Sequence, residues 1–165
     1  GEYYAQFTAW DASANPASVA DLVRALWSHL DAEERTDGDT MPVLPAEGQL
    51  EGTDGMHMRD AFGYASLTEV SYASFSAAGA TAVWFAAAGT AATVSNYIDE
   101  LQSYGGANFF AHNGACGGEM FGSWEILGCA HSMVRGVRDA PDRETARAHW
   151  DAYMAHITST RERNE

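Results

Sequence analysis

The chain has 165 residues, 46% of them hydrophobic, with 23 acidic residues, nine arginines and no lysine, for a formal net charge of −14. Such length and apolar content specify a globular chain with a real core and exclude a disordered one. The charge excludes direct binding to nucleic acid, and two cysteines are too few for a disulfide framework.

No basic-plus-apolar leader is visible at the N-terminus, so a cytoplasmic protein is expected. Residues 2–10 (EYYAQFTAW) alternate, with Tyr3, Ala5, Phe7 and Ala9 on one side, and predict a half-buried strand. Pro16 opens a predicted helix through Glu34, with Val19, Leu22, Val23, Leu26 and Leu30 on its apolar face. Residues 36–55 carry Gly and Pro without a clear period and are expected to form a long acidic loop. MHMRDAFGYA (56–65) is expected to form a short helix.

From Val70 to Ile98 there is no charged residue. The stretch is long enough to cross a membrane, but its Ala, Ser, Thr and Gly content is weakly apolar and no basic flank marks it. It divides instead into a strand LTEVSYASFSA, a tight turn at GA, and a second strand TAVWFAAA. A helix capped by Thr90 follows and ends at Gly105 and Gly106, with Val94, Tyr97, Ile98 and Leu101 on its apolar face. ANFFAHN (107–113) predicts a fourth strand. Trp124, Leu127, Ala130, Val134 and Val137 recur at helical spacing and predict a helix from Gly118 or Ser123 to Arg138. A last helix begins at Pro141, with Ala146, Trp150, Tyr153 and Ile157 as its core stripe.

The expected fold is α+β: a ferredoxin-like four-stranded antiparallel sheet with two helices on one face, plus two C-terminal helices. One domain over residues 1–165 is expected, with a βαββαβ core at 1–113 and a helical extension at 114–165.

The stretch AHNGACGGEMFGSWEILGCAH (111–131) holds both cysteines and two histidines. On a helix, Cys129 and His131 would leave roughly 200° apart, so they cannot share a tetrahedral ion. No metal site and no cofactor is expected. Cys129 reads as a small core residue, and the small residues Gly128, Ser132 and Gly136 suggest an element packed closely against them. Cys116 is expected in a glycine-rich turn before a helix, where the helix dipole would lower its pKa. His112 would then be a base and Glu119 its orienting group, the best nucleophile set in the chain. The same glycines would otherwise only serve the turn, or cradle a phosphate. His149 and His156 read as structural. Arg143 and Arg147 are expected to pair with Asp139, Glu144 and Asp151 on a solvated face.

Charge is distributed unevenly. Residues 31–60 hold nine acids against Arg35 and Arg59, whereas six arginines balance six acids from Arg135 onward. Two function classes follow. One is an acidic protein-binding protein, in which Glu33, Glu34, Asp37, Asp39, Glu47, Glu51, Asp54 and Asp60 meet a basic partner surface as a nucleic-acid-mimicking inhibitor does. The alternative is a small-molecule enzyme or ligand-binding protein with a pocket on the sheet, using Cys116 and His112, whose acidity is adaptation to salt. A homodimer is compatible with either. Helices that fill the sheet face with Trp124, Trp150 and Tyr153 would favour the first.

Overall fold

The computed structural model describes residues 44–130 and 132–162. The strand expected at 2–10, the helix at 16–34 and His131 lie outside the described residues, as do Glu33, Glu34, Asp37 and Asp39. The described residues belong to one unit, Thr40–Glu165.

Seven strands form its sheet: β1 (Gly55–His57), β2 (Val70–Ala77), β3 (Ala80–Ala88), β4 (Ala107–His112), β5 (Ala115–Met120), β6 (Ser123–Ala130) and β7 (Met133–Ala140). Two α-helices accompany them, α1 (Ala91–Ser103) and α2 (Arg143–Glu162). The strand order is β1-β2-β3-β7-β6-β5-β4, and every pairing is antiparallel. Two local meanders, β1 to β3 and β4 to β7, meet along the β3–β7 seam.

The expected strands at β2, β3 and β4 and the helix at α1 are present. A two-residue Ala78–Gly79 turn joins β2 to β3, both residues at positive φ. Thr90 caps α1 in a capping box with Thr93, and Gly106 N–H bonds the Leu101 carbonyl at 2.8 Å as the chain leaves the helix. Residues 56–65 give β1 and a single 3₁₀ turn at Ala61–Gly63 in place of a short helix.

The ferredoxin-like expectation is overturned. The sheet has seven strands, it continues past residue 113, and the predicted helix from Gly118 or Ser123 to Arg138 is instead strand. The helices also lie on opposite faces. Helix α1 packs Tyr97 and Leu101 onto Phe85, Ala87, Leu127 and Val134, while α2 packs Ala146, Trp150 and Tyr153 onto Trp84, Ile126 and Val137. A strand covered on both faces loses its polar alternation. Residues 125–128 of β6 are all buried. The apparent helical stripe therefore splits between faces, with Leu127 toward α1 and Trp124 packed on the α2 side.

The glycines of this region do admit close neighbours. A Cβ on Gly128 would stand 3.0 Å from the Trp150 ring, and one on Gly136 would collide with the Phe85 ring. The close packing expected there exists, but on two faces of a sheet and not along one helix face.

Candidate functional site

Under α1, the face holds a charged centre. Glu125 on β6 is buried, and Tyr64 donates its hydroxyl to Glu125 Oε2 at 3.1 Å. Tyr97 donates to the same oxygen, and Arg138 Nη2 stands 3.4 Å from Oε1. The Arg138 guanidinium lies 4.3 Å from the centre of the Phe62 ring, which also meets His57 and Tyr72. Burial pushes the Glu125 carboxyl above its ordinary range, although Arg138 and Tyr64 oppose that. The same burial and the neighbouring carboxylate raise the Tyr64 hydroxyl. Both oxygens of Glu125 are occupied by protein groups and closed to solvent, so this carboxylate holds structure and has no route to a substrate. Its signal in the sequence was a lone charge in the run from Met120 to Val134.

Under α2, the buried polar pair is neutral, and the nearby charge is the Arg135 guanidinium at the margin of the stacked rings. Phe75, Trp84 and Tyr153 stack in succession, with ring centres 4.0 and 4.7 Å apart. Trp84 Nε1–H donates to Nδ1 of the buried His149 at 2.9 Å. That bond leaves the imidazole proton on Nε2, which faces the Ala77 and Ala80 carbonyls. Burial lowers the His149 pKa, against the opposing pull of those carbonyls, and His149 holds the Trp84 indole in place.

The structure does not bring the nucleophile set together. Cys116 lies mid-hairpin on β5, opposite Ala111, while His112 is opposite Ala115. Paired residues share a face and neighbours alternate, so Cys116 and His112 point to opposite faces. No helix begins at Cys116 and no helix end is there to receive a phosphate; burial pushes its thiol up. Glu119 shares the His112 face but lies four residues along from Ala115, about 13 Å away, and accepts from Asn108 Nδ2 at 2.6 Å. His112 instead meets Asp151 of α2, with Nε2 2.9 Å from Oδ1, and Asn113 Nδ2 donates to the same carboxylate at 2.8 Å. Cys129 packs against the α1-side core, its Sγ 3.4 Å from the Gly89 carbonyl. Among the described residues no three His, Cys, Asp or Glu side chains converge as metal ligands. None of their helices is long and apolar enough to cross a membrane.

The four described acidic candidates do share a region. Glu47, Glu51, Asp54 and Asp60 are all exposed, on and beside the segment that runs along β2 as the sheet margin. The segment is fixed there by the Gln49–Phe75 bridge, by Leu50 N–H to the Ser74 carbonyl at 2.9 Å, and by Ser74 N–H to Thr53 Oγ1 at 3.0 Å. None of the four makes an ion pair among the described residues.

The arginines concentrate elsewhere, on β7 and α2. Arg143 does not pair with Asp139 or Glu144, nor Arg147 with Asp151. The guanidinium of Arg143 lies 4.7 Å from the Trp124 ring and that of Arg147 lies 5.1 Å from Phe110. Aromatic faces hold these cations where carboxylates were expected. A cavity of about 210 Å³ opens between the β4–β5 turn, Gly128, Arg135, Trp150 and Met154.

Comparison of the chain with protein-family models, with curated proteins and with solved structures finds no match.

Proposed function

We propose that the chain is a protein-binding module that engages a basic surface of a partner through the acidic margin of its sheet, in competition with nucleic acid. The observation that carries this reading is the set of exposed carboxylates Glu47, Glu51, Asp54 and Asp60 on one sheet margin, none of them in an ion pair among the described residues. Unneutralised charge gathered at one margin steers encounter with an opposite field and fixes orientation. Coverage of both sheet faces supports the same choice, because Trp150 and Tyr153 fill the α2 side and Tyr97 and Leu101 the α1 side. The cavity beside the β4–β5 turn, about 210 Å³, is below the roughly 300 Å³ at which ligand pockets begin. Glu33, Glu34, Asp37 and Asp39 would extend the acidic surface.

Competition measures this directly. The full chain is titrated into a basic-grooved DNA-binding domain loaded with fluorescent duplex DNA, at low and high salt. Displacement that weakens steeply with salt is expected. Neutralising Glu47, Glu51, Asp54 and Asp60 to Gln or Asn, alone and together with Glu33, Glu34, Asp37 and Asp39, should weaken it about tenfold or more. Displacement unchanged by both sets of substitutions would overturn the reading.

A further inference from the structure

A cation without a counter-charge lines the cavity beside α2. Arg135 on β7 stands in the ladder between Gly128 of β6 and Ala86 of β3. A Cβ on its partner Gly128 would meet the Trp150 ring, so Arg135 faces α2. Among the described residues its guanidinium makes one hydrogen bond, from Nη1 to the Ala130 carbonyl at 3.5 Å, and no carboxylate pairs with it. Its Nε–H is buried and finds no acceptor there. A guanidinium is a fork of N–H donors, and most of this one is unused, in a chain with 23 acidic residues.

The same cavity holds a second donor of this kind. Trp150 lines it and is 3% exposed, and its Nε1–H has no acceptor among the described residues. Trp150 Cζ2, two bonds from Nε1, lies 3.1 Å from where a Cβ on Gly128 would stand. Gly128 is not among the glycines at positive φ, so its backbone does not require glycine. A glycine inside a strand then marks a place where another group comes close. Buried donors without acceptors are rare in folded chains, and two of them on residues lining one cavity point to an acceptor from outside the chain. Met154, Ala130 and the Trp150 ring make the rest of the wall apolar.

We propose that this cavity binds a short-chain monocarboxylate, with its carboxylate taken by Arg135 and the Trp150 indole N–H and its alkyl end held by Met154 and Ala130. The planar guanidinium matches a carboxylate with two parallel bonds. A volume of about 210 Å³ holds about seven non-hydrogen atoms at the roughly 30 Å³ that a water takes in the liquid. A four-carbon acid is of that size, well below a drug-sized ligand. A phosphate dianion suits the site less. It would meet apolar walls and a single guanidinium, and Asp151, which accepts from Asn113 at the cavity mouth, opposes a second negative charge. The site is built on β6, β7 and α2, away from the acidic margin beside β1 and β2, so it is independent of the function proposed above.

Nuclear magnetic resonance of the ¹⁵N-labelled full chain tests the proposal. The Trp150 indole N–H signal, identified by its loss in Trp150→Phe, is followed during titration with butyrate, butyramide and inorganic phosphate at constant ionic strength. Butyrate should shift it saturably, with a dissociation constant on the order of 1 mM. Butyramide, which has the same shape without the charge, should bind about tenfold more weakly or worse. Phosphate should also bind more weakly than butyrate. Arg135→Gln breaks no ion pair, so folding should hold while butyrate binding weakens about tenfold or more. Gly128→Ala should weaken binding by narrowing the cavity, with the charge kept. A Trp150 signal that butyrate does not shift saturably would overturn the proposal. So would butyramide or phosphate binding as tightly as butyrate, or binding that Arg135→Gln leaves unchanged. If that variant does not fold, the three ligands on the wild-type chain still decide.

Discussion

The two faces of the sheet solve one problem differently. Beneath α1 the core encloses a charge, Glu125, held by Tyr64, Tyr97 and Arg138. Beneath α2 it encloses a neutral polar pair, Trp84 and His149, among stacked rings. A buried ion pair carries the larger penalty if one half is lost, while a buried neutral bond costs only its own desolvation. The faces also respond oppositely to acid. Glu125 has a folded pKa above its unfolded value, so the folded state takes up its proton first and gains stability as pH falls through that window. His149 has a folded pKa below 6.5, so the unfolded state takes up its proton first and stability is lost as pH falls below 6.5.

The largest expected effect comes from removing the cation on the α1 side. Arg138→Met leaves Glu125 without its counter-charge and should destabilise the fold by about 3 kcal/mol at neutral pH. Part of that loss should return on acidification, as Glu125 is neutralised. Urea unfolding at two pH values measures both, and Arg138→Met with Glu125→Gln should recover much of the loss. An equal cost at both pH values would show that the Arg138 charge is not what Glu125 needs.

A smaller effect is expected on the α2 side. His149→Phe removes the acceptor for the Trp84 indole N–H and should cost about 1–3 kcal/mol. It should also abolish the loss of stability below pH 6.5 that the wild-type histidine contributes. A variant that keeps the full acid-induced loss would place its origin elsewhere.

The smallest effect concerns a polar contact outside both cores. Slight burial acts to raise the Asp151 pKa, but hydrogen bonds from Asn113 and His112 overcome it and hold the carboxyl below its ordinary range. Asp151→Asn should cost about 0.5 kcal/mol, and less at high salt, because the pair is solvent-exposed. A cost as large as that of His149→Phe would mean that this contact, and not the stacked rings, fixes α2 to the sheet.

Legibility in the sequence followed the environment of each segment. The β2–β3 hairpin and α1 carry local signals, namely a Gly turn, a Thr cap and closing glycines, and they were readable. Residues 115–140 were not, because burial on both faces erases the period of two and leaves an accidental spacing of three and four from Trp124 to Val137. Glycine-rich β5 looked like a loop for the same reason, since Gly117 and Gly118 lie in a buried strand. That misreading placed Cys116 at a helix start it does not have. The acidic candidates Glu47, Glu51, Asp54 and Asp60 were legible as charges, and their arrangement on one sheet margin was not. Glu125 was visible only as an isolated charge, and the partners Tyr64, Tyr97 and Arg138 come from three distant segments that only the fold brings together.

The β3–β7 seam also sets a schedule for the chain as it is made. Ala88 pairs with Met133 and Val83 with Arg138, separations of 45 and 55 residues, whereas every other ladder is a hairpin or near neighbour. At translation speeds of about 5–20 residues per second, β3 waits roughly 3–10 s for the strand that will cover its inner edge. During that interval Val83 to Ala88 present an uncharged, unpaired ladder beside the Trp84 ring, before β7 or α2 exists to shield it. The emerging chain is therefore most open to wrong pairing in the interval between β3 and β7, and β7 and α2, far from being appendages, are what seal β3.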